Sequence, residues 1–60
     1  MNSKQLKKIS YLFKKYLNKT ESRKNLTVLS VFKKTKDKNL FLYLQTKINE
    51  IKNLPNYKED

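Results

Sequence analysis

The chain of 60 residues carries fifteen Lys and Arg against five Asp and Glu, a net charge of +10, and has no Cys, no His, no Gly and one Pro. These absences exclude a disulfide framework, thiolate and imidazole metal ligands, a P-loop and a glycine-rich dinucleotide fingerprint. They also remove the side chains that most often serve as base or nucleophile near neutral pH.

The first element is a helix predicted over residues 3–18. Leu6, Ile9, Phe13, Tyr16 and Leu17 recur at three- and four-residue steps, with Leu12 beside them. That spacing gathers an apolar stripe on one side of a helix. Lys4, Lys7, Lys8, Lys14, Lys15 and Lys19 fall on the other side, and Tyr11 projects among them. Asn2 or Ser3 is expected to cap the start, because a short polar side chain accepts the free N–H groups of the first turn. Lys19 follows the helix, where a cation suits the negative end of the dipole.

Thr20, Glu21 and Ser22 read as a turn, with Thr20 or Ser22 capping a second helix over 22–34. Within it, Leu26, Val28, Leu29, Val31 and Phe32 spread over more than half the circumference, so that helix is expected to be largely buried. The same residues are rich in β-branched side chains. Together with the apolar run Leu40–Leu44 they also fit a β-hairpin with strands in 26–33 and 40–46. The lack of Gly counts against a tight hairpin turn, and Asn and Asp must make the turns instead.

A third helix is predicted over 38–53, beginning at about Asp37 or Asn39. Leu40, Phe41, Leu44, Ile48 and Ile51 share one side; Lys47 falls inside that stripe and has to snorkel, while Leu42 lies off it. Pro55 disfavours helix at Leu54 and ends the element, leaving 55–60 as a polar tail. The expected fold is all-α, one small three-helix domain over 1–60. The alternative is α+β, helix–β-hairpin–helix.

The charge is unevenly placed. Residues 1–38 hold twelve Lys and Arg against two acids, whereas residues 39–60 hold three of each. An asymmetry of this kind points to a directed cationic surface and an anionic partner. Nucleic acid is the expected partner, DNA or RNA. The contacts fall to the helix 1 lysines (Lys4, Lys7, Lys8, Lys14, Lys15, Lys19) with Tyr11, to Arg23 and Lys24, and to a basic loop holding Lys33, Lys34, Lys36 and Lys38. Lysine is a compact charge that suits phosphate, and an aromatic among lysines can stack on a base. With one Arg, base reading would fall on amides such as Gln5, Asn18 or Asn25.

The function expected is that of a non-enzymatic nucleic-acid binder, a small regulator, an architectural factor or a ribonucleoprotein component. The alternative is a small modulator or inhibitor that docks its basic face on an acidic protein. The acids are too scattered to suggest a carboxylate pair, so no catalysis, cofactor or metal is expected. No apolar run approaches the ~18 residues of a membrane span, and no signal peptide precedes the first helix; a cytoplasmic location is expected. A chain this short buries only about 60% of its unfolded surface, so a homodimer or a larger assembly is a further expectation.

Overall fold

The computed structural model describes residues 3–58, which form three helices: α1 (Ser3–Tyr16), α2 (Lys19–Thr35) and α3 (Lys38–Lys52). The expected all-α, three-helix architecture is what the chain adopts, and no strand occurs among the described residues. The hairpin alternative is thereby set aside. Of the two residues expected to cap α1, Asn2 lies outside the described residues.

The helix boundaries follow from short-range chemistry that the expected turn at 20–22 overlooked. Asn18, not Thr20 or Ser22, caps α2: it is extended (φ −67°, ψ 169°) and its side-chain oxygen accepts from the Glu21 N–H at 2.8 Å. The spacing Asn18-x-x-Glu21 is that of a capping box, and Glu21 adds a favourable charge in the first turn. Because Asn18 must leave the helical conformation to cap, α1 stops at Tyr16, and Lys19 belongs to α2. Thr20 and Ser22 are consequently helical.

The second connection is equally tight. Lys36 takes the left-handed conformation (φ 55°, ψ 30°), and its N–H closes the last turn of α2 onto the Phe32 carbonyl at 2.8 Å. Glycine is the usual residue there, and this chain has none. Asp37 then caps α3, its carboxylate accepting from the N–H groups of Asn39 (2.7 Å) and Leu40 (3.4 Å). Residues 33–38 are therefore not a loop. Lys33 and Lys34 lie in the last turn of α2, Lys36 in a two-residue link, and Lys38 opens α3.

The core joins the apolar sides of all three helices. Phe13, Leu29, Leu44 and Ile51 are almost fully buried, and Leu6, Ile9, Leu12 and Phe32 complete the centre. Burying one such side chain stabilises by about 1.5–3 kcal/mol. Leu40, Phe41 and Ile48 are half-buried against this centre. α2 is less buried than its composition suggests, because Val31 is 44% exposed.

The α2–α3 pair is antiparallel: Phe32 meets Phe41 with ring centroids 6.0 Å apart, and Asn25 meets Tyr43 across the middle. The segment after α3 returns to the end of α1, where Tyr57 packs on Tyr16 with centroids 5.4 Å apart. The expected polar tail is thus tied down through residue 58. The radius of gyration, 11.0 Å, is close to the ~10 Å of a compact chain this long.

Candidate nucleic-acid interface

The core packing of α1 fixes which of its residues face solvent. With Leu6, Ile9, Leu12 and Phe13 inward, Lys4, Lys7, Lys8, Tyr11, Lys14 and Lys15 are all exposed. They form one stripe along the helix, about 16 Å long from Lys4 to Lys15 at ~1.5 Å per residue. Tyr11 lies in the middle and is 46% exposed. Lys15 Nζ stands 5.4 Å from the Tyr11 ring centroid and 5.2 Å from that of Tyr16. Side-chain hydrogen bonding to Tyr11 is the largest of the effects that raise the Lys15 ammonium above its ordinary pKa.

Among the described residues, no acid forms an ion pair with this stripe. Among the described residues one ion pair forms, between Lys47 and Glu50 at 3.4 Å on α3. That pair answers the expectation that Lys47 must snorkel: its stem is half-buried, and its ammonium lies 5.8 Å from the Tyr43 ring centroid. Hydrogen bonding to Glu50, followed by the charge of Glu50, raises the Lys47 pKa.

The remaining sequence-predicted cations lie on other elements. Arg23 and Lys24 are exposed on the second turn of α2, on its own solvent side, and Lys19 is exposed at the start of that helix. Lys33, Lys34, Lys36 and Lys38 are exposed around the α2–α3 junction. Lys36 Nζ lies 5.7 Å from the Phe32 ring centroid. Because α2 runs antiparallel to α3 and α3 ends beside the end of α1, this junction lies at the end of the bundle where α1 begins. Lys4 is the stripe residue at that end.

Of the amides considered for base reading, Asn18 is occupied as a helix cap and Asn25 is fully buried. Asn25 is thus withheld from a partner, whereas Asn18 is exposed with its side-chain oxygen engaged. Gln5 instead lies at the edge of a groove between α1 and α3, of about 440 Å³. Ile9, Leu12, Phe41 and Ile48 form its apolar walls, and Gln45 and Asn49 bring further amides. Lys8 and Lys52 border it, and among the described residues no carboxylate does. Sequence reading missed Gln45, Asn49 and Lys52, since nothing local signals that they face α1.

Among the described residues there is no cluster of acids able to hold a metal ion, and no helix is long and apolar enough to cross a membrane. No protein-family model matches the chain, and no curated protein or solved structure shows significant similarity to it.

Proposed function

We propose that the protein is a non-enzymatic nucleic-acid-binding module that grips the phosphate backbone with the exposed face of α1. The observation that carries this reading is the stripe Lys4–Lys7–Lys8–Tyr11–Lys14–Lys15, continuous along one helix and free of acids. A cationic row of this kind attracts a polyanion through counterion release, without regard to sequence. Tyr11 adds a flat face at its centre, suited to a base or a sugar. The cations at the α2–α3 junction extend the positive surface beyond Lys4 and serve as secondary contacts.

The core supports this division of labour. α1 buries its opposite side in the same cluster that holds α2 and α3, so the lysine face is displayed by a rigid support rather than by a flexible arm. With the backbone already ordered, binding needs to restrict only the lysine side chains, which lowers its entropic cost.

The test compares two charge-matched variants. Lys7, Lys8, Lys14 and Lys15→Gln should weaken nucleic-acid binding at moderate salt while leaving the helical circular-dichroism spectrum intact. Lys33, Lys34, Lys36 and Lys38→Gln removes the same charge from the junction and should weaken binding less. Equal losses would mean that only total charge matters. A stoichiometric acidic protein, captured by the wild type from nuclease-treated lysate and lost by the first variant, would move the same face to a protein partner.

A further inference from the structure

The groove between α1 and α3 shares Lys8 with the lysine stripe. Its floor is apolar and partly aromatic (Ile9, Leu12, Phe41, Ile48), whereas its border offers the amides of Gln45 and Asn49 and the ammonium of Lys52. We infer that this groove receives one unstacked base of a single-stranded nucleic acid whose backbone lies along α1. The inference rests on the reading of the lysine face, and it adds a class of nucleic acid to it.

Three features select this occupant. The first is continuity: a phosphate held by Lys8 leaves its attached base at the mouth of the groove. The second is composition. A base has flat faces suited to apolar and aromatic walls, and an edge of donors and acceptors suited to amides. The volume, about 440 Å³, falls within the ~300–1,000 Å³ of small-molecule sites. The third is charge: the two cations on the border, with no carboxylate beside them among the described residues, complement a nucleotide.

An apolar helix of a partner protein fits less well. Covering the groove with it would desolvate two ammonium groups and several amides without giving them partners. A nucleotide supplies acceptors for the ammoniums and both donors and acceptors for the amides. A duplex fits less well also, because its bases are stacked and paired, and a protein reads them only by their groove edges. A single strand can turn one base outward without breaking a pair.

The experiment measures fluorescence anisotropy with a short single strand and the corresponding duplex at one salt concentration. Wild-type protein should bind the single strand about tenfold more tightly, a stacking contribution of one base. Gln45→Leu/Asn49→Leu should remove most of that preference and leave duplex affinity unchanged. A second pair of variants adds the same negative charge at two places on α3. Asn49→Glu on the groove should lower single-strand affinity more than Thr46→Glu outside it. A duplex bound as tightly as the single strand by wild type would overturn the inference, and so would equal effects of the two Glu variants. In both cases the lysine face would stand. Failure to bind either nucleic acid would overturn the lysine face itself, and the groove with it.

Discussion

The hydroxyl of Tyr43 on α3 donates a hydrogen bond to the side-chain carbonyl oxygen of Asn25 on α2. Asn25 is fully buried, and its Nδ2 has no hydrogen-bond partner. One bond across the α2–α3 interface thus holds a fully buried polar side chain beside the apolar centre. It fixes how the two helices register, because sliding either one would leave the Asn25 oxygen unpaired as well.

This pair makes an asymmetric prediction. Tyr43→Phe leaves a buried acceptor unsatisfied and should destabilise the fold by about 1–3 kcal/mol in urea unfolding. Asn25→Leu together with Tyr43→Phe removes both polar partners and should recover most of that loss. A double variant less stable than Tyr43→Phe would show that the pair contributes more than register.

Lys36 should be a site of easy stabilisation. Its left-handed conformation costs a residue with a Cβ about 1–2 kcal/mol relative to the right-handed one. Lys36→Gly should therefore raise stability, by up to about 1 kcal/mol once the freedom of Gly in the unfolded chain is set against it. The substitution also removes an ammonium near the Phe32 ring, so Lys36→Asn is a useful second variant. A lower melting temperature for both would contradict this account of the link.

The returning segment should depend on rings more than on hydroxyls. Tyr16 accepts from the Lys58 N–H at 2.7 Å and donates to its carbonyl at 3.3 Å, while the Tyr57 hydroxyl is buried without a partner. Tyr57→Phe removes an unpaired polar atom and should leave stability unchanged or raise it. Tyr57→Ala removes the ring against Tyr16 and should accelerate amide exchange at Lys58. Unchanged exchange in Tyr57→Ala would separate the segment from the core.

Binding should vary little from about pH 5.5 to about pH 8.5, because the chain lacks histidine, the side chain whose ordinary range lies there. Lys15 is raised from 10.5, so its favourable contacts with Tyr11 are fully present below pH 10.5 and are lost as pH climbs through the higher folded value. Tyr11→Phe should lower the Lys15 midpoint in an NMR titration. A midpoint unaffected by Tyr11→Phe would rule out the hydroxyl as the cause.

How much of this was legible in the sequence depended on distance along the chain. The α1 stripe, the Lys47 snorkel and the exposure of Leu42 follow from spacing within one helix. The boundary at Asn18 was legible in principle, since Asn18-x-x-Glu21 is a capping pattern, but Thr20 and Ser22 offered competing caps nearby. The αL turn at Lys36 was not, because nothing in a lysine announces a positive φ. The groove was least legible of all. Residues of α1 such as Gln5 and of α3 such as Lys52 line it together only because the two helices pack, and no local pattern encodes that pairing. The value of Tyr57 was hidden likewise, in a tail that is polar apart from that ring.

The most direct measurement of the central claim is the slope of log K against log salt for single-stranded nucleic acid, in wild type and in the variant with Lys7, Lys8, Lys14 and Lys15→Gln. Each phosphate contact on a single strand contributes about −0.7 to that slope, so four lost contacts should make it shallower by about 2.8. A shallower slope of that size places the backbone on the α1 face. A slope unchanged in the variant would contradict the account and remove α1 from the binding surface.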